Sequence, residues 1–141
     1  MNSKVEIKTD TDGIDFDQVS ELLAQFGLSN LDGRTQKKVF ENSYAKVFII
    51  ASGEVIGVGR AISDGYTQAA IYNIAIRKDY QGKGYGKRVL DELLKQVEGC
   101  NVVLYTHPKH IGLYEHWGFS KLKTGYALFP NEEHYRAEGF F

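Results

Sequence analysis

Near the start of the chain, Val5-Glu6-Ile7 alternates like a short strand, and the cluster Asp10-Thr11-Asp12-Gly13 predicts a turn after it. Phe16, Val19, Leu22, Leu23 and Phe26 then recur at helical spacing until Gly27, with Asp15 and Gln18 placed as a capping box at the helix start. Leu28 to Gly33 reads as loop, and Thr35 to Phe40 as a second helix. Two runs rich in β-branched residues, Lys46 to Ala51 and Val55 to Ser63, flank Ser52-Gly53 and predict an antiparallel hairpin. Asp64-Gly65 marks the next reversal, and Ala69 to Ile76 is a third run of strand character that ends at Arg77-Lys78.

Past a glycine-rich loop, Val89, Leu90, Leu93, Leu94 and Val97 form one apolar stripe on a helix ending near Gly99. Asn101 to Thr106, with the unbroken apolar run Val102 to Tyr105, predicts a buried strand, and the connection length favours its parallel pairing with the strand before the helix. A short helix from about His110 to Trp117 closes at Gly118, Phe119 to Phe129 supplies one or two final strands, and Asn131 to Phe141 shows no period. Antiparallel strands first and a βαβ unit later predict an α+β fold, a mixed and mostly antiparallel sheet flanked by helices. The 141 residues suit a single domain over 1–141, with 130–141 as a C-terminal tail.

Composition narrows the function. With 43% hydrophobic residues the chain is an ordinary globular one, which excludes global disorder. Seventeen Lys and Arg against 18 Asp and Glu leave a net charge of −1, so no bulk basic field exists to bind nucleic acid, and any anion site must be local. The lone Cys100 cannot form an internal disulfide or a cysteine-rich zinc site; it reads as a small buried side chain in a reducing compartment. Met1-Asn2-Ser3-Lys4 leads into no apolar signal region, and no apolar run approaches the ~18 residues a membrane span requires. The expectation is a cytoplasmic protein without a nucleic-acid or membrane partner.

The most informative stretch is Gln81-Gly82-Lys83-Gly84-Tyr85-Gly86-Lys87-Arg88, set between a strand and a helix. Its glycines let the backbone approach a ligand and turn N–H groups one way, while the first helical turn adds unpaired donors and the positive end of the helix dipole. Arg77, Lys78, Lys83, Lys87 and Arg88 stand against one acid, Asp79, so positive charge concentrates here and the expected ligand is anionic. A Walker loop would need Gly at 81 and Ser or Thr at 88, and a dinucleotide fingerprint would need Gly at 87; Gln81, Arg88 and Lys87 occupy those positions. The competing reading is a tight strand-to-helix turn with no ligand at all.

Gln81-Gly82-Lys83-Gly84-Tyr85-Gly86 resembles the Gln/Arg-x-x-Gly-x-Gly/Ala signature of the GNAT superfamily of N-acetyltransferases. The frame agrees: Ile74-Ala75-Ile76-Arg77-Lys78-Asp79-Tyr80 leads in, and Leu113-Tyr114-Glu115-His116-Trp117-Gly118-Phe119 is similar to the family's Tyr-x-x-x-Gly-Phe segment. The resemblance implies a GNAT-like sheet, acetyl-coenzyme A as cosubstrate, and direct transfer of its acetyl group to a primary amine. It implies that the strand before the loop parts from its neighbour, so that the backbone around Ile74, Ala75 and Ile76 faces the pantetheine arm and an N–H there serves the thioester oxygen. Gln81, Gly82, Lys83, Gly84, Tyr85 and Gly86 would enclose the pyrophosphate, with Lys87 and Arg88 as electrostatic support or as a solvated helix face. Tyr114 matches the family's tyrosine near the cofactor sulfur and would act as general acid; packing among Leu113, Trp117 and Phe119 is the alternative.

No base is legible. Many relatives carry a Glu on the strand before the loop, where Ala69-Ala70-Ile71-Tyr72-Asn73-Ile74 offers no acid. Strand alternation puts Tyr72 and Asn73 on opposite faces, so only one of them would border the acceptor. His107 and His110 lack a partnering acid or cysteine nearby, which leaves a polar loop or a proton-relay role and no expected metal. The acceptor, a small-molecule amine or a peptide or protein amine, would be shaped by Phe26 to Phe40, Asp64 to Gln68 and the C-terminal stretch. Tyr126 to Phe129 and Gly139-Phe140-Phe141 offer an apolar surface for a homodimer. The missing strand carboxylate keeps a second class open, a coenzyme-A-binding sensor or interaction module without turnover.

Overall fold

The computed structural model describes residues 4–141, so Met1 to Ser3 of the expected N-terminus lie outside the described residues. Two compact units divide the chain, one ending at Leu104 and the other running from Tyr105 to Phe141.

The first unit is built on five strands, β1 (Val5–Lys8), β2 (Ala45–Ala51), β3 (Glu54–Ser63), β4 (Gln68–Ile76) and β5 (Asn101–Val103), in spatial order β1-β2-β3-β4-β5. The first three pairings are antiparallel and β4–β5 is parallel, as expected of a hairpin followed by a βαβ crossover. Helices α1 (Phe16–Gln25) and α2 (Gly33–Glu41) follow β1, and α3 (Tyr85–Gln96) makes the crossover. Asp15 caps α1 by accepting from the N–H groups of Asp17 and Gln18, but the capping box is not closed: the Gln18 side chain accepts the Val55 N–H at 2.8 Å and ties α1 to β3 instead. Asp32 caps α2 through the Thr35 N–H, which starts that helix two residues before the predicted Thr35.

Phe48, Val58 and Ala75 lie in register across β2, β3 and β4 and join Phe16, Val19, Leu22, Leu23 and Phe40 in one core. Three rings fill its centre: Phe16, Phe40 and Phe48 have centroids 5.2 to 5.9 Å apart. On the other face α3 lays Val89 and Leu93 against β3 so closely that a Cβ on Gly59 would stand 2.5 Å from Val89 Cγ1. Glycine at 59 is therefore a packing requirement.

Several expectations fail at the C-terminal end. Asn101 to Thr106 is not a buried strand: β5 stops at Val103, forms the sheet edge, and leaves Val103 48% and Tyr105 49% exposed. An apolar run is fully buried only where packed elements enclose it, and among the described residues no strand pairs with the outer side of β5. Cys100 is half-buried rather than fully enclosed, its sulfur 3.8 Å from Ser63 Oγ.

The second unit is helical, with a single turn at Pro108–His110, α4 (Ile111–His116) and α5 (Glu132–Ala137). No strand forms in 119–129, because a strand needs a ladder partner and this unit contains none; Leu122, Tyr126 and Leu128 stay exposed. The stretch that showed no period carries α5 instead, held by ring contacts of Phe129 with Tyr135 at 4.4 Å and of Tyr135 with Phe140 at 5.1 Å. His107 Nε2 lies 3.1 Å from Glu138 Oε2 and holds that carboxyl below its usual range.

Candidate active site

The parallel β4–β5 ladder covers only Gln68 to Ala70 of β4, so the strand leaves its neighbour after its first three residues and, among the described residues, runs on unpaired on that side to Ile76. Main-chain direction then decides which groups face the vacated edge. Arg77 donates its N–H to the Ile56 carbonyl at 2.8 Å, so Arg77 and, two residues back, Ala75 address β3, while Ile74 and Ile76 turn their N–H and C=O groups to the other side. The Ile76 carbonyl is met there by Gln81 Nε2 at 2.9 Å, which fastens the loop to the strand end.

The loop itself has unspent donors. Gln81 N–H bonds the Lys78 carbonyl, but among the described residues no hydrogen bond takes the N–H groups of Gly82, Lys83, Gly84, Tyr85, Gly86 or Lys87. Gly84 is the N-cap of α3 at φ 87°, a left-handed backbone that suits glycine, and it brings no side chain to satisfy the first turn. A Cβ built on Gly82 or Gly84 would meet nothing within 4 Å, so there is open space beside the backbone at both glycines. Six donors at a helix N-terminus with room beside them fit a diphosphate.

The surrounding side chains are arranged to shape this loop more than to charge it. Arg77 pairs with Glu54 at 2.6 Å and with both oxygens of Asp79 at 2.8 and 3.1 Å, which lowers the Asp79 carboxyl and raises the guanidinium. Tyr80 lies between Arg77 and Lys83, whose cationic groups stand 5.3 and 5.2 Å from its ring centre. Lys87 pairs with Asp91 at 2.5 Å and Arg88 with Glu92 at 3.4 Å, one helical turn on. The local excess of positive charge counted along the chain is thus offset by Glu54, Asp91 and Glu92, which leaves the backbone amides as the uncompensated donors of the loop.

Tyr72 and Asn73 do not part to opposite faces. Val58 pairs with Ala75 and Arg60 with Tyr72, so Gly59 opposes both Asn73 and Ile74 in a β-bulge, and Asn73 takes φ 61°. As a result both side chains reach one residue: Asn73 Oδ1 accepts Arg60 Nε at 2.6 Å, and the guanidinium lies 5.2 Å from the Tyr72 ring centre. Arg60 escaped the sequence reading, although a single cation within the apolar run Val55 to Ile62 was its signal. In the nearby turn, Asp64 accepts from the N–H groups of Tyr66, Thr67 and Gln68 and from the Thr67 hydroxyl, which holds its carboxyl far below the usual range.

Within the second unit, Gly118 at φ 92° ends α4 so that the Phe119 N–H bonds the Tyr114 carbonyl at 2.9 Å and the Gly118 N–H that of Glu115 at 3.1 Å. That turn explains the spacing of the Tyr-x-x-x-Gly-Phe segment. It brings the Phe119 ring edge-on to Tyr114 at 5.8 Å, opposite Trp117 at 5.6 Å. Half-buried between them, the Tyr114 phenol has its pKa raised by burial and so keeps its proton through neutral pH.

Comparison with known proteins agrees with this geometry. A model of the acetyltransferase (GNAT) domain matches residues 43–121. GCN5-related N-acetyltransferase 1, chloroplastic, of Arabidopsis thaliana is 27% identical over 118 residues, which cover 80% of this chain and 60% of that protein. The uncharacterized N-acetyltransferase ycf52 of Porphyra purpurea is 29% identical over 133 residues, 86% of this chain and 76% of its own. The chain thus spans about three fifths of the Arabidopsis relative's length. A solved structure of a probable acetyltransferase from meticillin-resistant Staphylococcus aureus superposes with a TM-score of 0.76 at 26% identity, covering 89% of this chain and 98% of that one. A family model over more than half of the chain, with the glycine loop and the parted strand inside the matched region, shows that this chain belongs to the GNAT family of acetyltransferase domains.

Proposed function

We propose that the chain transfers an acetyl group from acetyl-coenzyme A to a primary amine by direct attack. The observation that carries this reading is the row of unspent N–H groups from Gly82 to Lys87 at the start of α3, with open space beside Gly82 and Gly84. Bound acetyl-coenzyme A supplies an acetyl carbon activated by its thioester. The loop amides hold the diphosphate, and the open β4 edge at Ile74 and Ile76 aligns the pantetheine arm and donates an N–H toward the thioester oxygen. As the new N–C bond forms and the C–S bond breaks, the amine releases its proton to water and the departing thiolate takes one up; the family resemblance gives that donor role to the Tyr114 hydroxyl, which would regain its proton from solvent. A small amine and a peptide or protein amine are both compatible acceptors.

One observation favours a second reading, a coenzyme-A-binding module without turnover: between Gln68 and Ile76, β4 carries no carboxylate to serve as base. Calorimetry with acetyl-coenzyme A and a thiol-release assay over an amine panel separate the two. The transferase reading expects binding and amine-dependent thiol release; binding without release across the panel supports the module. Gly84→Glu, which puts a carboxylate in the cradle, should weaken binding by about a hundredfold or more, equivalent to about 2.7 kcal/mol. Wild-type affinity in a folded Gly84→Glu protein overturns the cradle assignment.

A further inference from the structure

Outside tight turns, the described backbone holds one non-glycine residue at positive φ, Asn73; the other, Ser52, sits in the β2–β3 hairpin turn. A left-handed conformation disfavours side chains with a Cβ, and it persists where the surroundings hold it. At Asn73 the holding group is visible. Arg60 Nε donates to Asn73 Oδ1 at 2.6 Å, and Arg60 Nη1 donates to Ser43 Oγ at 3.3 Å. Ser43 is itself 4% exposed and gives its hydroxyl proton to the Val39 carbonyl of α2 at 2.8 Å. The bulge in β4 is thereby anchored, through one guanidinium, to the end of α2.

The bulge has a directional consequence. An extra residue in β4 reverses the in-out alternation of everything beyond it. If Asn73 relaxed into ordinary extended backbone, Ile74 would turn its main-chain groups toward β3 and Ala75 would face the open edge. We propose that Arg60 is a positioning residue: by holding Asn73 in the left-handed conformation it sets which backbone groups of β4 face the parted edge. Its importance for turnover rests on the transferase reading above; its hold on the backbone does not.

A double-mutant cycle tests this in the full chain, because glycine takes positive φ without an anchor. In the wild-type background Arg60→Met should lower thiol-release turnover by about thirtyfold, since misplacement of a reacting group by about an ångström has effects of this order. In an Asn73→Gly background the same Arg60→Met change should cost less than about threefold. An equal loss in both backgrounds overturns the proposal and makes Arg60 act by another contact. Asn73→Ala, which keeps Arg60 with its Ser43 and Tyr72 contacts, should lose turnover as Arg60→Met does; wild-type turnover in Asn73→Ala counts against the proposal even if Arg60→Met fails to fold. Crystal structures of Arg60→Met and Asn73→Ala supply a readout independent of activity. The proposal expects residue 73 at negative φ in both, and positive φ retained in both refutes it. Should the wild type release no thiol with any amine, the transferase reading fails while this backbone test still stands.

Discussion

Among the described residues, every fully buried apolar side chain lies between Phe16 and Val97, whereas no side chain from Tyr105 to Phe141 is fully buried, although that stretch carries Trp117, Phe119, Phe129, Phe140 and Phe141. The first region is held by interlocked layers, with Phe40, Phe48, Leu93 and Val89 wholly enclosed. The second is held by partly exposed rings in edge-to-face and tilted contacts and by the His107–Glu138 contact. The proposed chemistry divides the same way. Main-chain groups on β4 and the loop, which need a rigid frame, belong to the packed region, and Tyr114, the proposed proton donor on a short helix, belongs to the other.

The sharpest way to break this contrast is to empty the core. Phe40→Ala removes the ring that links α2 to Phe16 and Phe48 and should cost about 3–5 kcal/mol in urea denaturation; a loss below about 1 kcal/mol would mean the aromatic cluster does not hold the layers together. Tyr114→Phe should do the opposite, lowering turnover by about a hundredfold while the melting temperature and acetyl-coenzyme A affinity stay near wild type. Unchanged turnover would leave Tyr114 a packing residue. Because burial raises its phenol, any alkaline loss of rate due to this group should begin above pH of about 10, so a limb near neutrality belongs to another group.

Gly59→Ala probes the layer contact itself. With Val89 Cγ1 2.5 Å from the new methyl, we expect about 1–3 kcal/mol of destabilisation, and a neutral result would show that α3 can lift off β3 freely. The smallest effect should come from Glu138→Gln in the second region. Its hydrogen bond with His107 lowers the Glu138 carboxyl below the ordinary 4.5, so the stabilisation is present above that value and fades as pH falls through the lowered one. A melting-temperature difference between Glu138→Gln and wild type should therefore exist at pH 6 and vanish in acid; a difference that persists there argues against the charge.

Legibility followed the same boundary. The hairpin, α1 and α3 were readable because each buries one face against a layer, and burial writes itself as a period of two or of 3.6 residues. The glycine loop was readable as a strand-to-helix turn with unbonded amides because glycine adopts the left-handed backbone that such a helix start requires. Val102 to Tyr105 misled because apolar residues at an uncovered edge look the same in sequence as those between two layers. Phe119 to Phe129 misled because strand propensity does not supply a ladder partner, and α5 stayed hidden because the rings that hold it, Phe129 and Phe140, flank it rather than recur along it.

By itself, then, the order of residues determined the β2–β3 hairpin, the β4–α3–β5 crossover, where the glycine-rich turn falls, and that Tyr114, Gly118 and Phe119 share one helix end, because these are matters of short-range spacing. Only the tertiary structure decided that Arg60 grips Asn73, that Glu54 answers Arg77 from the start of the preceding strand, and that β4 parts from β5 after Ala70. Those outcomes depend on residues brought together by neighbouring strands and on a single inserted position that shifts the register, and no local pattern along the chain records either.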